Sequence, residues 1–99
     1  MNTINLIGRL TKEPSISEIN IQGASKKMAK YTLAVERENS KDVDYICCSV
    51  IDKGAEWLEK YIKKGSRIGV TGSLRIQNYE IDKKIYYKAE VIVSKQYFA

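Results

Sequence analysis

Apolar side chains recur at every second position along most of this chain, and that period limits what it can build. Ile4, Leu6, Gly8 and Leu10 share one face of the run Ile4–Leu10, which closes at Thr11-Lys12-Glu13-Pro14. Tyr31, Leu33 and Val35 alternate with Thr32, Ala34 and Glu36. After the turn Glu38–Asp42, the run Val43–Ile51 sets Ile46, Cys48 and Val50 against Tyr45, Cys47, Ser49 and Ile51. Ile68, Val70, Gly72 and Leu74 head a strand reaching Tyr79, and Ile85, Tyr87, Ala89, Val91 and Val93 mark the last. A period of two places such residues on one face of a β-strand. A weaker segment, Ile16–Ile21, precedes the polar turn Gln22–Lys27.

One stretch departs from this rhythm. From Lys53 to Lys64, Leu58, Tyr61 and Ile62 recur at i, i+3 and i+4, Asp52 stands where it can cap the first turn, and Lys63-Lys64-Gly65 places cations and a glycine at the end. These are helix signals. The expected order is three strands, one helix, two strands. An all-β, five-stranded OB-fold barrel with one short helix between strands 3 and 4 has that order, and such barrels bind oligonucleotides and oligosaccharides. A small SH3-like barrel or an α+β sandwich accommodates part of the same pattern.

The chain has 99 residues, no repeat and no linker, so a single domain over residues 1–99 is expected, with a small core. Its 43% apolar and 29% charged residues suit a folded protein. No stretch approaches the roughly 18 apolar residues of a membrane span. Met1-Asn2-Thr3 enters the first strand with no basic and apolar leader, so a cytoplasmic location without membrane contact is expected.

Catalytic chemistry finds little to stand on. There is no histidine, and the only cysteines, Cys47 and Cys48, are adjacent, so on a strand they point to opposite faces and have no metal-site spacing. No Ser or Cys nucleophile has an evident base, and no carboxylate pair or Walker lysine loop is present. We therefore expect no enzyme activity, no cofactor and no metal site.

The charge points to a polyanion. Seventeen Lys and Arg against twelve Asp and Glu leave +5. Several solvent-side strand positions are aromatic or cationic: Tyr45, Arg75, Tyr79, Tyr86 and Lys88. Unpaired bases stack on such rings for roughly 1–3 kcal/mol each, whatever the sequence, whereas a duplex hides those faces. Tyr31 and Tyr87, sharing faces with Leu33 and Val91, are expected in the core, and Trp57 is expected to pack from the helix.

Taken in order, Asn5–Pro14, Tyr31–Val35, Asp44–Cys48, Leu58–Ser66, Val70–Arg75, Asn78-Tyr79 and Tyr87–Val91 resemble bacterial single-stranded DNA-binding proteins of the tetrameric OB-fold type, across nearly the whole chain. The resemblance implies a homotetramer that wraps single-stranded DNA and protects it in replication, recombination or repair. By position, Tyr45 and Tyr79 match two stacking sites, with Tyr86 as a further ring. Arg75 and Lys88, with Lys64, Arg9 and Arg37, are the expected phosphate-holding residues.

The departures are specific. Asn39 and Ile51 stand where the family stacks two more bases, so weaker binding per subunit is expected unless Tyr86 or lysines compensate. The hairpin loops around Ser40 and Asp82-Lys83 are short. The chain ends at Gln96-Tyr97-Phe98-Ala99, without the flexible linker and acidic tip by which the family recruits replication enzymes, and tail-mediated recruitment is not expected. Rival readings are a primosomal-type OB-fold adaptor between replication proteins, an RNA-binding OB domain, and an interaction module for an acidic protein.

Overall fold

A computed structural model describes residues 1–99. The elements run β1 (Ile4–Leu10), β2 (Ser15–Ile21), β3 (Ala24–Glu36), β4 (Val43–Ile51), α1 (Lys53–Tyr61), β5 (Arg67–Ile81) and β6 (Lys84–Phe98). The mostly-strand fold with one short helix is the expected one, and β1 and β4 have the expected bounds. The weak segment is a strand in its own right: β2 pairs with β3 from Ser15↔Lys30 to Ile21↔Ala24. Gln22 and Gly23 close that hairpin with φ of 51° and 81°, the two positive values that a tight two-residue turn of the strand's own twist requires.

The sheet order is β1-β5-β6-β4-β3-β2, and β1 also meets β3 through Arg9↔Ala34 and Leu10↔Leu33, closing a ring with β2 outside it. Gly8 permits that closure, because a Cβ there would lie 2.6 Å from the Ala34 carbonyl oxygen. The single parallel contact, Cys48↔Val91 and Ser49↔Ile92, joins β4 to β6. Inside the ring lie the alternating residues of the sequence pattern, among them Leu10, Leu33, Cys48, Val50, Ile68, Val70 and Val91.

Helix α1 covers one end of the ring through Ala55 and Leu58, with Ile62 packing just beyond its last turn. It stops at Tyr61, short of Lys64, because Ile62 turns extended and dips into the core. Asp52 does not cap it with its side chain. Its backbone, at φ 61° and ψ −126°, lies outside the extended region that an N-cap uses, and its carboxylate pairs with Lys26 at 3.2 Å. Its carbonyl instead accepts from the Glu56 N–H at 3.1 Å.

A bulge decides how β6 ends. Gly72 faces Val93 while Thr71 faces Lys95, so Ser94 is an extra residue and the facing of the strand switches. Gln96 therefore points inward, where its Oε1 accepts from the Tyr31 hydroxyl at 2.8 Å and its Nε2 donates to the Gly54 carbonyl at 3.0 Å. No helix is long and apolar enough to cross a membrane.

Candidate nucleic-acid interface

Strand register gathers the expected residues. Directly paired residues share a face, so Arg75↔Glu90, Gln77↔Lys88 and Tyr79↔Tyr86 place Arg75, Tyr79, Tyr86 and Lys88 on one side of the β5–β6 hairpin. The Ser49↔Ile92 pair carries that side across to β4, where Tyr45, Cys47 and Ile51 alternate with the core. Through β3, the same outer face takes in Thr32 and Lys30. Tyr45 is 70% exposed, Tyr79 47% and Tyr86 42%. The Tyr79 and Tyr86 rings lie 5.5 Å apart and 18° from parallel, forming a stacked doublet at the far end of the face from the ring.

That far end is an arm. From Leu74 outward β5 is exposed, as is β6 from Lys84 to Ala89, and Asp82 and Lys83 close the tip with φ of 50° and 66°. The radius of gyration, 14.4 Å, exceeds the roughly 13 Å of a compact 100-residue domain, as a projecting arm requires. The arm also corrects one expectation. Tyr31 is buried at 6% exposure, but Tyr87 is 69% exposed, because the hairpin has left the ring before the chain reaches it.

Arg9, Lys64 and Arg37 lie apart from the arm. Arg9 pairs across to Arg67 on one side and Ala34 on the other, and Ala34 faces Tyr45, so one row of outward positions runs from the two arginines to the tyrosine. The Arg9 guanidinium donates to the Gly65 carbonyl at 3.2 Å, beside Lys64, whose backbone N–H donates to Glu13 at 3.0 Å. Arg37 lies past the end of β3, on the side of Leu33 and Val35. It grips Asp44 through Nε at 3.0 Å and Nη2 at 2.8 Å, and this hydrogen bonding holds the Asp44 carboxyl below the usual carboxylate range. The structure brings Tyr45, Arg75, Tyr79, Tyr86 and Lys88 together; it does not bring Arg37 to them.

The three ion pairs of the chain, Lys26–Asp52, Lys27–Glu59 and Arg37–Asp44, leave Arg75, Lys88, Lys30 and Lys12 unpaired. Lys30, Lys12 and Arg67 escaped the sequence reading. Alternation alone could have put Lys30 opposite Tyr31, but its placement beside β4 needs the register. Asn39 sits exposed in the β3–β4 turn at φ 59°, while Ile51 is exposed on the same face as Tyr45, as an apolar contact only. Trp57 packs on Phe98, ring centres 4.9 Å apart.

Two hollows border β4 and β6. One, of about 360 Å³, lies between the β2–β3 hairpin and the arm, with Ile19, Ile21, Ile51, Arg75 and Gln77 on its walls. The other lies where β4 and β6 part. The largest concavity, about 620 Å³, is elsewhere, against β1 and the chain end, with Leu6, Ile7, Val35 and Tyr97 beside Glu36 and Glu38. Apolar walls and two acids are the wrong chemistry for a polyanion, so volume does not mark the interface here.

The Single-strand binding protein family matches residues 1–99. The single-stranded DNA-binding protein of Clostridium perfringens is 39% identical over 95 residues, covering 94% of this chain and 62% of that protein. Single-stranded DNA-binding protein 1 of Clostridium acetobutylicum is 38% identical over 98 residues, 93% of this chain and 87% of that protein. For the single-stranded DNA-binding protein of Bacillus cereus the identity is 38%, with 99% of this chain and 59% of that protein covered.

Proposed function

Because the chain belongs to the single-strand binding protein family, we propose that it binds single-stranded DNA without sequence preference and protects it during replication, recombination or repair. The observation that carries this is one outer face bearing Tyr45 and the stacked Tyr79–Tyr86 doublet together with the unpaired cations Arg75 and Lys88. Exposed rings offer π-faces to unpaired bases, and cations between them meet the phosphates that link those bases. Arg9 and Lys64 extend the basic path along the ring. Arg37 contributes least, since Asp44 already neutralises it.

The protein acts by binding alone, as one domain over residues 1–99, in the cytoplasm and without a cofactor. A homotetramer is the assembly we favour. Its support is the outer edge of β1: β3 pairs with it only at Arg9 and Leu10, leaving residues 4–8 open beside exposed Ile7 and Tyr97.

Titration of oligo(dT) at two salt concentrations, beside a duplex of equal length, tests the proposal. Oligo(dT) should bind well at low salt, more weakly at high salt, and better than the duplex. No binding at low salt would remove it, and equal affinity for duplex would move the contact from base faces to phosphates alone. Stronger binding to oligo(U) would favour the RNA-binding reading.

A further inference from the structure

Strands β4 and β6 touch only at Cys48↔Val91 and Ser49↔Ile92 and then diverge toward Tyr45 and the arm. The gap is a cleft of about 220 Å³ that reaches inward as far as Tyr31 and Cys48. Lys12, Lys30 and Lys88 come to it from three different strands or turns, and Cys47 forms part of its wall. None of these lysines is in an ion pair. Of the two acids in the lining, Glu13 is occupied by the Lys64 N–H, and Glu90, mostly buried, stands across from Arg75 in the register without an ion pair, so the three lysines outnumber the one free carboxylate.

The size is telling. Pockets that take drug-sized ligands measure roughly 300–1,000 Å³, so this cleft suits a smaller charged group. Its place is equally specific, since Glu13 and Lys12 link it to Lys64 and Arg9 on one side, while Lys88 continues to the Tyr79–Tyr86 doublet on the other. A strand stacked on Tyr45 and on the arm has to carry its backbone over this gap.

Resting on the single-stranded DNA reading above, we infer that the cleft between β4 and β6 is a phosphate subsite, in which Lys12, Lys30 and Lys88 hold one backbone phosphate of the bound strand against the wall at Cys47. The subsite supplies by charge part of what Asn39 and Ile51 do not supply by stacking. It also makes Cys47 a reporter: an alkylating reagent reaches the thiol only when no strand covers it. Cys48 stays silent in such an experiment, because burial pushes its thiol up to about 12 and keeps it protonated.

Two measurements test this on the full chain. In oligo(dT) titrations over a salt series, Lys12→Gln/Lys30→Gln should lower the slope of log affinity against log salt by about 0.7, the value of one single-strand phosphate contact. Lys53→Gln/Lys60→Gln, on the helix, should leave that slope unchanged. Iodoacetamide labelling located by mass spectrometry should slow at Cys47 at least severalfold when oligo(dT) saturates the protein. If oligo(dT) binds but the slope is unchanged, or Cys47 labels as fast with DNA as without, the subsite is overturned while the binding reading stands. If the unaltered protein fails to bind oligo(dT), both fall.

Discussion

A tyrosine's neighbours decide whether it is buried in the fold or left on the surface, and this chain contains both kinds. Tyr45, Tyr79 and Tyr86 were legible as surface rings because each sits out of phase with the core residues of its own strand. Tyr87 is in phase with Val91 yet exposed, since phase reports a face and not whether anything covers it. Tyr45→Ala and Tyr79→Ala should each weaken oligo(dT) binding by roughly 1–3 kcal/mol without lowering thermal stability. Tyr79 and Tyr86 form a doublet, so their double variant should depart from additivity, as contacting residues do. Titration of the unaltered protein, of Tyr45→Ala, Tyr79→Ala and Tyr86→Ala, and of the Tyr79→Ala/Tyr86→Ala double variant checks both points. Buried groups carry a pH signature instead. Burial raises Cys48 to about 12 and pushes Tyr31 up as well. A folded pKa above the unfolded one means that stability is complete below the unfolded value and is lost as pH rises toward the folded one. Above about pH 9 the unfolded chain releases the Cys48 proton first, so stability should fall by up to about 1.4 kcal/mol per pH unit for this group. Urea melts at pH 8 and pH 10.5 measure the slope, and Cys48→Ala should flatten it.

At the level of elements, the strands with a buried face were readable and the features set by long-range contact were not. β2 is weak in isolation because its only apolar residues are Ile16, Ile19 and Ile21, with Ile16 out of phase with the other two, and it exists by pairing along its whole length with β3. The end of α1 depends on Ile62 being pulled into the core, and the switch of facing in β6 depends on the bulge opposite Gly72; neither has a local signature. The arm carries most of the proposed binding face. Its turn holds Lys83 at φ 66°, where an L-residue is strained and glycine is at ease. Lys83→Gly should therefore slow amide hydrogen exchange across residues 76–89, while the global melting temperature hardly moves, because those residues bury nothing in the core. Trp57 gives the complementary reading. It packs on Phe98 from the helix, so oligo(dT) should change its fluorescence little. Strong quenching would place the strand over α1 and redraw the path.

For the molecule as a whole, the arithmetic of burial asks for company. Only 18 of 99 residues are buried, and Ile7, Leu74, Ile76, Ile85, Tyr87, Tyr97 and Phe98 are all more than two fifths exposed. Scattered apolar residues on a surface are ordinary, but a set beside an unpaired strand edge is a template for another chain. Residues 4–8 of β1 offer both: open backbone groups along one edge, and Ile7 with Tyr97 next to a concavity of about 620 Å³. The acids there, Glu36 and Glu38, would repel DNA, and none of the proposed contact residues Tyr45, Arg75, Tyr79, Tyr86 and Lys88 lines this concavity. Assembly through this side would therefore multiply binding faces without covering them, and several weak faces on one strand gain from effective concentration what each lacks in stacking. Native mass spectrometry should find four chains in the complex. Ile7→Glu, which sets a new charge beside Glu36, should lower that number and weaken binding to a long oligo(dT) far more than to a short one that a single face can hold. A complex that stays tetrameric in Ile7→Glu would move the interface to another side of the molecule, and the exposed face of the arm formed by Ile76, Ile85 and Tyr87 would be the next place to change.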